Sequence, residues 1–102
     1  MASLASIVKE VVFGYAANGL NLRTYALSNE AQDVFSVNVI DWPERHRAAG
    51  VVVLARVEGN RVIIEEDLTD RPLVEALVAA GIPRENIVLK YAELSSANEV
   101  TS

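Results

Sequence analysis

The sequence predicts an α+β fold, an antiparallel sheet of four or five strands with two helices packed on one face, in the order α-β-β-β-β-α-β. Three observations carry this. Apolar residues recur at helical spacing in two stretches, Leu4, Ile7, Val8, Val11, Val12 and Tyr15, then Leu73, Val74, Leu77 and Val78. Between them lie segments of strand character, several with alternating apolar and polar residues. The connections are short, which suits a meander covered by helices.

The first helix is predicted from Leu4 to Ala17, with Ser3 as its N-cap and Asn18-Gly19 as its stop. Leu20 to Ser28 reads as a strand, with Leu22, Thr24 and Ala26 on one side and Arg23, Tyr25 and Leu27 on the other. After a polar turn, Val34 to Asp41 sets Phe35, Val37 and Val39 against Ser36, Asn38 and Asp41. Ile40 breaks the alternation and predicts cover on both faces there. Gly50 to Glu58 is rich in valine, Gly59-Asn60 has the residue types of a tight hairpin turn, and Val62 to Glu66 completes the hairpin.

The second helix is predicted from Asp70 to Ala80, capped by Thr69 or Asp70, with Pro72 in the first turn and Gly81 as its stop. Pro83 to Asn86 is a turn, and Ile87-Val88-Leu89 a buried strand whose place in the sheet the pattern leaves open. Residues 1–94 form one domain in this reading, and 95–102 a mobile tail.

The 102 residues have room for one core, and a chain 51% hydrophobic and 23% charged is globular rather than disordered. The formal charge of −5 opposes attraction to a polyanion, so strong direct nucleic-acid binding is not expected. With no cysteine, disulfides, thiolate chemistry and sulfur-ligated zinc are excluded. The start lacks a basic leader and the apolar runs are too short for a bilayer, so the expectation is a soluble cytoplasmic protein without membrane contact.

The segment from Trp42 to Gly50 is the longest irregular connection and gathers Trp42, Pro43, Arg45, His46 and Arg47. Trp and Arg are enriched at interface hot spots, so Trp42, Arg45 and Arg47 are the candidate partner-binding residues. The plain alternatives are Trp42 at the edge of the core with exposed arginines, and a small anion patch that Asp41 and Glu44 would neutralise. His46 as a general base would need an orienting carboxylate, and no spacing specifies one. A loop histidine in solvent is the simpler reading. Glu65, Glu66 and Asp67 are consecutive on a strand, so their side chains diverge and no metal site is implied. Asp67 and Thr69 read as residues that set a strand-to-helix turn. Phosphate-binding loops and catalytic motifs are absent, and the residues call for no catalytic group, cofactor or metal.

One set of spacings goes further. Trp42, Arg47, Gly50, the turn before Val62-Ile63-Ile64, Asp67-x-Thr69, and Gly81-Ile82-Pro83 leading to Ile87-Val88-Leu89 together resemble the XisI family of cyanobacterial element-excision controlling factors. Gly50, Asp67, Thr69, Gly81 and Pro83 are the motif residues with structural roles. Asn60 replaces the family's usual turn glycine, Ile63 stands where an aromatic is common, and the family's tail after the last strand is missing. The resemblance implies a non-catalytic accessory protein that acts through protein contacts, with a XisH-like partner, while a recombinase does the cutting. It leaves self-association into a homo-oligomer open. The alternative is a ligand-binding or catalytic domain with the Trp42–Gly50 loop and the Asp67–Thr69 turn as pocket walls.

Overall fold

A computed structural model describes residues 3–92. Its elements are α1 (Leu4–Phe13), β1 (Leu22–Asn29), β2 (Val34–Asp41), β3 (Gly50–Glu58), β4 (Arg61–Asp67), α2 (Leu73–Ala79), a 3-10 turn (Arg84–Asn86) and β5 (Ile87–Leu89). The sheet runs β1-β2-β3-β4-β5. The first four strands are an antiparallel meander, and β5 is parallel to β4, with Val62 opposite Ile87 and Ile64 opposite Leu89. The position left open by the sequence is thus an outer edge. The chain crosses back through α2 and re-enters the sheet in the direction of β4, as parallel neighbours require.

The core fills the space between the sheet and both helices. Val8 and Val12 of α1 and Leu73 and Leu77 of α2 meet Phe35, Val37, Val53, Ala55, Val62 and Ile64. These strand residues share one face because the register opposes Phe35 to Ala55, Val37 to Val53 and Ala55 to Ile64. α1 lies over β2 and β3, α2 contacts β4, and the two helices touch. Both helices therefore occupy one face, as predicted.

Several boundaries move for local reasons. α1 opens at Ser3 as expected, where the Ser6 N–H donates to Ser3 Oγ at 3.1 Å. It ends at Phe13 rather than Ala17, because Thr24 Oγ1 takes the Ala17 N–H at 2.8 Å and pulls the chain into β1. α2 begins at Leu73 rather than Asp70, and neither Thr69 nor Asp70 caps it. Pro72 is its N-cap residue without a side-chain bond, and the Leu73 N–H donates instead to Asp67 Oδ2 at 2.7 Å. The helix has seven residues, so only Leu73 and Leu77, one turn apart, are fully buried, and Val78 is exposed.

Gly81 ends α2 at φ +103°, and the Ile82 N–H reaches back to the Leu77 carbonyl at 3.1 Å, a cap that a left-handed residue makes possible. Gly59 takes the positive φ of the hairpin turn, and Asn60 does not. The predicted tail, 95–102, and the domain limit at residue 94 lie outside the described residues. Among the described residues no helix is long and apolar enough to cross a membrane.

Candidate functional site

At one end of the sheet β2 stops at Asp41, and the chain loops out before β3 starts at Gly50. The sequence reading sets Asp41 against Phe35, Val37 and Val39, but it stands an even number of residues from all three and shares their inward face, and it is only 7% exposed. The loop completes the cover, because it folds back over the carboxylate. Oδ2 accepts the backbone N–H groups of His46 at 3.1 Å and Arg47 at 2.9 Å. Oδ1 accepts from Arg47 Nη2 at 2.5 Å and from Nε at 3.1 Å. Charge-assisted bonds of this forked kind fix geometry as well as adding energy. The Arg47 guanidinium is the main cause that holds the Asp41 pKa at about 2, with the two backbone N–H groups adding to it and burial opposing. The same carboxylate raises the pKa of Arg47.

Asp41 thus anchors a loop whose outer side chains are free to face solvent. Trp42 extends the β1–β2 ladder by one bond, its N–H to the Asn21 carbonyl at 3.0 Å, and the Trp42–Pro43 peptide is cis. The indole stays 43% exposed. The Arg23 guanidinium lies over it, 5.2 Å from the ring centroid, in cation–π range. Arg45 is exposed. Asn21, Asp41, Trp42, Glu44 and Arg47 border an open depression of about 500 Å³.

The loop brings Trp42 and Arg47 onto one depression, but with different parts to play. Trp42 offers surface, whereas the guanidinium of Arg47 is committed to Asp41. His46 stands in solvent, with Nε2 3.8 Å from Glu44 Oε2, beyond hydrogen-bond length. Asp41 takes its backbone N–H and not the imidazole, so no carboxylate orients the ring as a base.

The other motif residues shape the chain. Asp67 Oδ1 accepts the Thr69 N–H at 3.0 Å and lies 2.6 Å from Thr69 Oγ1, while Oδ2 takes the Leu73 N–H. Both carboxylate oxygens are thereby occupied by the turn. Glu65 pairs with Arg56 at 2.9 Å and Glu66 accepts the Asp67 N–H, so the three consecutive acids diverge. Gly50 begins β3, and a Cβ there would meet nothing within 4 Å. Gly81 and Pro83 sit at the other end of the sheet, where β5 enters beside Val62. The depression beside the Asp67–Thr69 turn is bordered by Tyr15, Arg71, Pro72 and Glu75, separate from that at Trp42.

Two contacts escaped the sequence. Arg23 reaches Trp42 across the first strand pair. Tyr15 donates its hydroxyl to the Arg71 carbonyl at 2.7 Å while the Arg71 guanidinium lies 4.6 Å from the ring centroid, clasping the ends of α1 and α2. Burial, more than the opposing Arg71 charge, raises the pKa of Tyr15, with Asp67 and Glu75 adding to the rise. No spacing rule joins residues so far apart, and only the register of β1 on β2 could have suggested the first pair.

The helix-backed, mostly antiparallel sheet with its anchored β2–β3 loop defines a small α+β domain. The sequence profile of the XisI family, described as XisI protein, matches residues 1–101, and the chain belongs to that family. Two solved structures have the same fold. A XisI-like protein from Anabaena variabilis superposes with a TM-score of 0.75 at 23% identity, over 85% of this chain and 83% of the other. The fdxN element excision controlling factor XisI from the same organism gives 0.64 at 18% identity, over 85% and 88%. No curated protein matches the sequence.

Proposed function

We propose that this chain is a non-catalytic accessory factor in the control of DNA element excision, and that it acts in the cytoplasm by holding a protein partner on the 42–49 loop. The process is suggested by membership of the XisI family and by the name of the excision controlling factor that shares its fold. The carrying observation is the Asp41 anchor. One shielded carboxylate ties down both the backbone and the side chain of Arg47, while Trp42, in the same loop, remains 43% exposed. A loop already ordered loses little entropy when a partner binds, and an exposed indole supplies contact area.

The partner of choice is a XisH-like protein. Trp42 is its anchor, Arg45 a charged contact at the rim, and Arg47 the residue that holds the loop in shape. The acidic chain makes no strong contact with nucleic acid of its own. The rival reading, a ligand pocket walled by the loop and the Asp67–Thr69 turn, has less support, because the turn consumes both Asp67 oxygens and the two depressions are separate. Co-expression with the XisH-like protein tests the proposal. The tagged chain should retain that protein, and the Trp42→Ala chain should lose it. Equal retention by both removes the loop from the interface.

A further inference from the structure

β1 is an outermost strand, paired on one side with β2. In an antiparallel ladder, successive residues point their N–H and C=O alternately toward the neighbour and away. The Trp42 N–H to Asn21 carbonyl bond sets the alternation here, with Leu22 opposite Asp41 and no register shift through Asn29. Arg23, Tyr25, Leu27 and Asn29 therefore bond to β2, and Leu22, Thr24, Ala26 and Ser28 turn their backbone groups outward. Two contacts agree. The Leu22 carbonyl accepts the Gly19 N–H at 3.1 Å, and the Thr24 N–H donates to Asn18 Oδ1 at 3.0 Å.

The chain thus covers its own edge as far as Thr24 and then stops. Among the described residues, nothing pairs with the outward N–H and C=O of Ala26 and Ser28. Proteins protect such edges with proline, lysine or bulges, and Leu22–Asn29 has none of these. The opposite edge, β5, is three residues long.

We propose that two copies of this chain join through β1 in antiparallel fashion, so that their sheets continue across a twofold axis at Leu27. The choice of a second copy rests on charge and register. With a net charge of −5, two copies repel at long range, and a contact free of carboxylates adds no close like-charge pair to that repulsion. Residues 11–29 contain none, and they include all of β1. Across the axis Leu27 faces its own counterpart, Ala26 faces Ser28, and Tyr25 faces Asn29. The Ala26 N–H donates to the Ser28 carbonyl of the other copy, the Ser28 N–H to the Ala26 carbonyl, and symmetry repeats both bonds. The outward N–H and C=O of both Ala26 and Ser28 are used, and the Gly19 and Asn18 contacts at Leu22 and Thr24 are left in place. Tyr25 and Leu27, 48% and 54% exposed on the face away from the helices, gain apolar neighbours from the second copy. The 42–49 loop, at the far end of β2, stays open.

Sedimentation equilibrium on the full chain tests this. The wild-type protein should have twice the chain mass of 11.1 kDa. Ala26→Pro removes an outward N–H without touching the bonds to β2, and Leu27→Lys sets two like charges face to face across the axis. Each variant should have the mass of a single chain and the wild-type circular dichroism spectrum. If Ala26→Pro fails to fold, Leu27→Lys decides, since its side chain is half exposed. A wild-type monomer overturns the proposal and leaves the edge to another protein's strand. A dimer that persists in Leu27→Lys also overturns it, because the copies then meet elsewhere.

Discussion

Asp41 and Arg47 meet side chain to side chain and side chain to backbone at once: Nη2 and Nε of the arginine donate to Oδ1, and the Arg47 N–H donates to Oδ2. An arginine whose side chain is 75% exposed is thus tethered to a carboxylate that is 8% exposed. The pair closes the loop that carries Trp42, and it gives that loop a distinctive response to acid. The Asp41 pKa lies at about 2, below its ordinary 3.8, so the carboxylate stabilises the fold fully above pH 3.8 and loses that effect as pH falls through about 2. Trp42 is the one tryptophan of the chain, so its emission reports on the loop. The emission should change with a midpoint near pH 2 rather than near 3.8. Asp41→Asn should show the altered emission already at neutral pH.

Asp67 closes the other turn at this end of the sheet, with three bonds to Thr69 and Leu73. Asp67→Ala leaves the first N–H of α2 and the Thr69 N–H without acceptors. The loss should be about 1–2 kcal/mol, the scale of a missing helix cap, read as a lower midpoint in urea. A variant as stable as wild type would mean that water replaces the carboxylate without cost.

Leu77 is fully buried between α2 and the sheet. Leu77→Ala should cost about 2–5 kcal/mol, a large part of the roughly 5–15 kcal/mol available to a domain of this size. Chemical denaturation measures this directly. A loss under about half a kcal/mol would place Leu77 outside the core.

Random duplex DNA at moderate salt should bind weakly or not at all to the isolated chain. Phosphate contacts dominate such affinity, and the net charge here is −5. Fluorescence anisotropy with labelled DNA is the check, and tight binding that falls steeply with added salt would contradict the expectation.

Legibility followed the range of the interactions. The limits of β3 and β5 and the stop at Gly81 could be read directly, because valine runs, alternation and a glycine stop are local signals. The start of α2 could not, because its first N–H is satisfied by Asp67, six residues upstream, rather than by Thr69 or Asp70. Asp41 differs: strict alternation puts it on the inward face with Phe35, Val37 and Val39, so its burial was legible, and only the loop that folds back over its carboxylate was not. Trp42 and Arg47 stand out from composition, yet their division into an exposed platform and a tether depends on the Asp41–Arg47 bond, which spacing alone does not specify. Arg23 on Trp42 and Tyr15 on Arg71 join separate elements, and only the packed fold brings them together.

The Asp41-anchored loop is proposed to present Trp42 to a protein partner. The most direct measurement of this is calorimetric titration of the XisH-like protein into wild-type and Trp42→Ala chains, alongside their melting curves. Affinity should fall by about tenfold or more on losing an indole hot spot. Melting should change little, because the ring is an exposed one at the surface of an otherwise intact loop. Unchanged affinity in a Trp42→Ala chain that melts like wild type would remove Trp42 from the interface.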